Sequence, residues 1–367
     1  MKKTRRILSI VMVFAMMATI FSFAGCKKAA TTTTTTKPYI AVVAKGFQSQ
    51  YWQVVMQGAQ AAAKADNVTI TFDGPASESD IGPQVNMLNA DIAKKPVALC
   101  LAALDTTSVT TQLAQLQKDK IPVIGFDSGV PNAAAGEIAA TAATDNAKAA
   151  AIAADKLFAN ATVLGKIQAA TTAKPVVIGV LSQDATSASV MGRTTGFIDE
   201  MKKNIETLPG FSGTVDVSGQ VKYNAASASA AKVKIVVNVP PTTSATDLQN
   251  GAQALLTNNS NMIALYASNQ TAADAVIAAT SDGGDLASKY SYVTVVGFDA
   301  GKGQKNAVSK GWFLGSITQD PYTIGYDAVD LAYKAYKGQT VADVDTGAKW
   351  YDKTNMTSAD IAKLLYD

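Results

Sequence analysis

Several side chains able to form paired hydrogen bonds fall at comparable places in this chain, just past short apolar runs. Asp127 follows the run 121–126, Asp299 follows 293–298, and Gln319 comes after 313–317. Asn269 follows 262–266 by way of Ala267 and Ser268, and Arg193 falls in the first turns of the helix expected after 176–181. Carboxylate, guanidinium and carboxamide groups can each make two hydrogen bonds, which matches adjacent hydroxyls of a sugar. Tyr51 and Trp52, beyond the apolar run 39–44, could cover an apolar C–H face. Taken singly, Asp127 and Asp299 read as well as turn residues or helix caps, and Trp52 as a core side chain. Their common position points to a binding site, because ligands of a doubly wound sheet sit beyond the carboxyl ends of its strands.

Other chemistry is excluded by what is missing. The chain of 367 residues has no histidine, which removes Ser-His-Asp and Cys-His catalysis and any histidine-bound metal. It also lacks a Gly-x-Ser-x-Gly elbow and a Gly-x-x-x-x-Gly-Lys-Ser/Thr phosphate loop. Gly301-Lys302-Gly303-Gln304-Lys305-Asn306 lacks the third glycine of a dinucleotide fingerprint and is expected to be a loop. Asp282-Gly283-Gly284-Asp285 places two carboxylates on a turn without the spacing of a calcium loop. No cofactor and no metal is expected. The formal charge is +3, and Lys2, Lys3, Arg5 and Arg6 crowd at the N-terminus, so the remainder is near neutral and no nucleic-acid surface is expected.

The elements that must hold these groups follow from periodicity. Residues 39–44 form an apolar run without polar alternation, as in a parallel strand covered on both faces. Trp52, Val55, Met56, Ala59, Ala62 and Ala63 then share one helical face, with Gln53, Gln57, Gln60 and Lys64 opposite. The alternation continues with strands predicted at 68–72, 97–101 and 121–126 and helices at 80–94 and 106–118. After a helix at 145–160 it restarts with strands at 176–181, 234–239, 262–266, 293–298 and 313–317. Helices are expected after Ser189 and at 245–257, 271–280 and 322–337. The Ser-, Ala- and Gly-rich stretch 210–231 has no clear period. The fold class is therefore α/β, with two doubly wound parallel-sheet domains.

The N-terminus has a charged start, an apolar run over 7–23 and small residues before Cys26, the pattern of an export signal over residues 1–25. Phe23-Ala24-Gly25-Cys26 resembles the lipobox of bacterial lipoproteins, in which the cysteine becomes the lipidated first residue. Residues 26–37, rich in threonine, read as a tether. Cys100, within an apolar run, reads as a buried hydrophobe.

Taken together and in order over roughly residues 38–355, several motifs resemble the type I periplasmic binding proteins, the ribose/galactose-type sugar-binding lipoproteins of ABC transporters. They are Tyr51-Trp52, Gly125-Phe126-Asp127, Arg193-Thr194-Thr195-Gly196-Phe197, Asn269, Val296-Gly297-Phe298-Asp299 and Ile317-Thr318-Gln319-Asp320-Pro321. The resemblance implies that Asp127, Arg193, Asn269, Asp299 and Gln319 hold sugar hydroxyls while Tyr51 and Trp52 sandwich the ring. Lys45, Ser49, where the family often has Asn, and Ser128, where many members have Arg, are further candidates. It implies a hinge crossed near Thr144, Asp320 and Thr346, dividing the chain into 38–144 plus 320–346 and 145–319 plus 347–367. The expected protein is a monomeric, lipid-anchored, extracytoplasmic receptor and not an enzyme. It would bind a monosaccharide and deliver it to an ABC permease, or alternatively present it to a membrane sensor kinase or chemoreceptor. A nucleotide-using enzyme and a DNA-binding repressor fit less well, since the first 37 residues supply a signal and a tether.

Stable anchoring takes a second acyl chain beside the first. Cys26→Ser is therefore expected to shed the protein from the membrane fraction with ligand affinity unchanged, as fractionation and calorimetry would measure. Full retention in the membrane would contradict the lipobox reading.

Overall fold

The computed structural model describes residues 37–366 apart from Gln48. The export signal, Cys26 and all of the tether but Lys37 lie outside the described residues. The first sheet is built from β1 (Tyr39–Val43), β2 (Thr69–Asp73), β3 (Ala98–Leu101), β4 (Val123–Phe126) and β5 (Ala140–Ala143). Between them lie α1 (Gln50–Ala65), α2 (Ile81–Ala93) and α3 (Thr110–Lys118). The second half runs α4 (Asn146–Phe158), α5 (Ala161–Gln168), β6 (Val176–Leu181), α6 (Ala188–Glu206), β7 (Val215–Ser218) and β8 (Val233–Asn238). It continues with α7 (Ala245–Asn258), β9 (Met262–Ala267), α8 (Gln270–Ala279), β10 (Thr294–Phe298), α9 (Lys302–Ser309) and β11 (Phe313–Gln319). The chain closes with α10 (Pro321–Tyr336), β12 (Val344–Asp345), β13 (Ala348–Tyr351) and α11 (Ala359–Ala362).

Strand order in the first sheet is β2-β1-β3-β4-β5-β12, all parallel. The second reads β7-β8-β6-β9-β10-β11-β13, parallel except for the antiparallel pair β11 and β13. Its stretch β8-β6-β9-β10-β11 repeats the order β2-β1-β3-β4-β5, so each sheet reverses direction of growth beside its first strand, at β1/β3 and β6/β9. The chain passes between the sheets after Ala143, after Gln319 and between Asp345 and Ala348. The central strands are buried throughout, which explains their uninterrupted Val, Ile and Leu. Cys100 on β3 is among them, and its Sγ donates to the Ala328 carbonyl at 3.2 Å.

Several elements depart from the periodic reading. Residues 302–309 are a helix, not a loop: Gly301 precedes it, and Gln304, Ala307 and Val308 form a buried stripe too short to stand out among polar neighbours. The third helix starts at Thr110 because the Asp105 carboxylate binds the backbone N–H groups of Thr107 (2.8 Å) and Ser108 (2.7 Å) and holds a turn there. The helix expected over 145–160 ends at Phe158, and Asn160 caps a further helix by accepting from Thr162 and Val163. Strand β5 is alanine-rich, and Thr141 alone gives it a β-propensity signal. The stretch 210–231 contains the edge strand β7.

Two helix pairs approach closely at glycines. A Cβ on Gly325 of α10 would lie 1.9 Å from the Val55 carbonyl oxygen of α1, and one on Gly58 would lie 2.0 Å from that of Tyr322. In the second half a Cβ on Gly196 of α6 would meet the Ala147 carbonyl of α4 at 2.3 Å. Backbone stands in the way at each, so the helices must separate. Gly325→Ala and Gly196→Ala should each cost roughly 1–3 kcal/mol or more in denaturant unfolding. Gly165→Ala on α5, where nothing lies within 4 Å, should stabilise by about 0.5–1 kcal/mol. The opposite signs test the packing directly.

Candidate functional site

Both sheets end their strands toward a common cavity of about 390 Å³. On the first side Asp127 follows β4 with φ 51°, and on the second Asp299 follows β10 with φ 76°. Asp is one of the few residues that tolerates this left-handed backbone. In both cases the residue's own N–H bonds to the neighbouring strand, Asp127 to the Ala142 carbonyl at 3.0 Å and Asp299 to the Ile317 carbonyl at 2.5 Å. The turn is therefore fixed by the sheet itself, and the carboxylate is presented at its edge.

The Asp127 carboxylate accepts from the Tyr51 hydroxyl at 2.5 Å and lies 3.6 Å from Lys45 Nζ. Lys45 is also 3.6 Å from Glu78 and donates to Ser189 Oγ at 3.3 Å. Glu78 accepts from Trp52 Nε1 and from Gln183 Nε2, both at 2.9 Å. Gln183 Oε1 in turn accepts from Asn269 Nδ2. On the second side Arg193 reaches Asp299 at 3.4 Å, Asn146 Oδ1 at 2.7 Å and the Ser268 carbonyl, and stacks its guanidinium 4.0 Å over Phe298. Gln319 Nε2 and Gln270 N donate to Asp299 at 2.6 and 3.1 Å. Asn269 caps α8 by accepting from Ala272 N at 3.0 Å.

Burial would depress the Lys45 ammonium, but Glu78 and Asp127 outweigh it and raise its affinity for the proton. Burial would likewise lift Glu78; Lys45 and the hydrogen bonds from Trp52 and Gln183 reverse that and hold it below the usual carboxylate range. For Asp299 burial prevails over Arg193 and raises the carboxyl. Burial, then Asp127, push the Tyr51 phenol well up, so it remains a neutral donor.

The cavity wall includes Tyr51, Trp52, Asp127, Arg193, Asn269, Asp299 and Gln319, together with Lys45 and Ser49. Ser128 does not line it; its buried hydroxyl accepts from Ser189 N at 3.3 Å. Tyr51 and Trp52 meet edge to face at 86°, with centroids 5.1 Å apart, so they do not offer two parallel faces to sandwich a ring. Glu78, Gln270, Thr271 and Asp274 also line the cavity and were not anticipated. Glu78 lies beyond the end of β2, so the strand-end rule reaches it, but the run Gly74-Pro75-Ala76-Ser77 before it reads as a solvent turn. Tyr366, near the C-terminus, was equally hidden: its ring lies 6.1 Å from that of Tyr51 and its hydroxyl accepts from Ala300 N at 3.3 Å. Gln270 Oε1 and Gln319 Oε1 are buried without a hydrogen bond, and Asp127 Oδ2 has only its ion pair with Lys45. The cavity thus presents acceptors with capacity to spare and suits a ligand rich in O–H donors. Among the described residues no group of His, Cys, Asp and Glu could hold a metal ion.

Residues 40–340 match the family model of the periplasmic binding protein domain. The D-allose-binding periplasmic protein of Escherichia coli (strain K12) is 24% identical over 313 residues, 83% of this chain and 86% of that protein. A solved structure from Brachyspira murdochii, described as an ABC transporter, LacI family transcriptional regulator, is 39% identical, with a TM-score of 0.73 over 90% of this chain and 99% of that one. An ABC transporter solute binding protein from Agrobacterium vitis with bound D-fucose is 26% identical, with a TM-score of 0.73 over 89% and 100% of the two chains.

Asp274 provides a check on these electrostatics. Burial, opposed by a hydrogen bond from Gln270, raises its carboxyl from 3.8 to about 6. The folded state therefore holds this proton more tightly than the unfolded chain. The stability it supplies is complete below about pH 4 and is lost as pH rises through about 6. Asp274→Asn should raise Tm by roughly 1–3 °C at pH 7.5 and leave it unchanged at pH 4, as a calorimetric pH series would measure.

Proposed function

Because the chain belongs to the periplasmic binding protein domain family, we propose that it is an extracytoplasmic receptor holding a monosaccharide between its two sheets for an ABC importer. One observation carries the reading. Strand-end side chains from both sheets, Asp127 from one and Asp299 and Gln319 from the other, converge with Arg193 of α6 on a cavity whose buried atoms without a hydrogen bond are all acceptors. A sugar supplies the matching hydroxyl donors, and the Trp52 ring suits its C–H face. The sugars carried by the relatives, D-allose and D-fucose in their own names, support that ligand class.

The crossings at Thr144, Asp320 and Thr346 would act as the hinge. A ligand that touches both sheets only when they approach draws the equilibrium toward closure by its differential affinity. Acylation of Cys26 would keep the receptor at the membrane beside its permease. No chemistry on the ligand is proposed.

Ligand binding to the native state raises Tm by an amount set by concentration over affinity. A thermal-shift screen of a soluble form starting after Thr36, against pentoses, hexoses, inositols and nucleosides, should give its largest shift with a sugar, recovered unchanged by mass spectrometry. With that sugar, Asp127→Asn and Gln319→Ala should each weaken binding roughly 10–100-fold in calorimetry. Lys64→Ala, on the exposed face of α1, should change it less than about twofold. Wild-type affinity in both cleft variants would refute the site.

A further inference from the structure

Beside the deep cavity lies a second one of about 290 Å³, nearer solvent, between the loops that follow β1 and β2 on one side and those that precede α7 and α8 on the other. Ser49, Trp52, Glu78, Ala245 and Thr271 line both cavities, so the two are contiguous. The partition is thin: Glu78, held by Trp52 Nε1 and Gln183 Nε2, faces each side. The outer chamber has the makings of a carbohydrate site of its own. Phe47, 43% exposed, supplies an aromatic face, and Ser77, Thr243, Ser244 and Thr271 supply hydroxyls. The Thr271 hydroxyl has no hydrogen-bond partner among the described residues, and that of Thr243 has only a long 3.5 Å contact to Ser77. Neither Lys nor Arg lines the chamber, while the Glu78 carboxylate does, which disfavours a phosphate or a carboxylate there.

We propose that the outer chamber is a second carbohydrate subsite, so that the preferred ligand carries a neutral glycosyl unit linked to the sugar in the deep cavity. This rests on the deep cavity being a sugar site and extends that reading from one unit to two. The linkage would run past Trp52 and Glu78, where the cavities share their wall. The second unit would rest on Phe47 and exchange hydrogen bonds with Thr271 and Ser77. It would bridge the two sheets as the first unit does.

Calorimetry on the full receptor would compare D-glucose, D-galactose, D-xylose and D-allose with maltose, cellobiose, lactose, melibiose and xylobiose. At least one disaccharide should bind about tenfold or more tightly than its free units. Ala76 is exposed and lines only the outer chamber, so Ala76→Trp should fill that chamber. It should weaken the disaccharide about tenfold or more while leaving the monosaccharide within about twofold. Phe47→Ala should weaken the disaccharide alone, by roughly fivefold. If a monosaccharide binds and no disaccharide surpasses its free units, or if both variants leave the ratio of the two affinities unchanged, the subsite is refuted and the sugar receptor stands. If no carbohydrate binds at all, both readings fall.

Discussion

Lys45, Glu78, Asp127, Arg193 and Asp299 all face a single cleft, and every one of them is wholly or largely removed from water. Desolvating an ion costs several kcal/mol, so none can be left without an opposite charge or a set of hydrogen bonds. The pairing is done mostly within each side: Lys45 serves Asp127 and Glu78 around the first sheet, and Arg193 serves Asp299 beside the second. That arrangement accounts for the local oddities of the site. The left-handed Asp127 and Asp299, the Asn146 side chain under Arg193 and the Gln319 amide on Asp299 are the geometry and the hydrogen bonds that make these charges tolerable. It also leaves both cations already engaged, so a ligand meets a surface of acceptors in which carboxyl groups outnumber the cations.

The two halves solve this problem with the same parts. In each, the strand order is that of a doubly wound sheet, an Asp closes the fourth strand in left-handed conformation, and the helix after the first strand is met by a partner through glycine. They differ in the cation. The flexible ammonium of Lys45 can reach Asp127, Glu78 and Ser189 of the other half, whereas the planar guanidinium of Arg193 is fixed by stacking on Phe298. Contacts across the cleft are thus made from the first side, by Lys45 to Ser189 and by Glu78 to Gln183.

Much of the fold was legible because buried parallel strands advertise themselves as unbroken apolar runs. The strands carrying Asp127, Asp299 and Gln319 were readable for that reason, and those residues could be placed from the strands they follow. Strand β5 was not, since Ala140–Ala143 has Thr141 as its only β-branched residue and no large apolar side chain, and its neighbours hold it in place. Helix α9 was missed because only Gln304, Ala307 and Val308 mark its inner face. Glu78 and Tyr366 were invisible for a different reason. A carboxylate in a Ser- and Pro-containing turn looks solvated, and a tyrosine near a chain end looks incidental, until tertiary structure brings each beside Tyr51 or Trp52.

The exchange of helices between the halves bears on the order in which the chain can acquire structure. Helix α10, which covers α1, β3, β4 and β5, is made only after the whole second sheet apart from β13 has been laid down. Until residue 336 is available, Val42, Cys100 and Ile124 lack that cover, and the first sheet cannot complete a dry interior. The second half, by contrast, has its own α4 and α6 at hand early, and only β13 and the C-terminal turn arrive late. Maturation from the N-terminus onward, domain by domain, is thus denied to this molecule. The first half is thus completed by contacts that span some of the largest sequence separations in the chain, the kind whose loop-closure entropy slows folding.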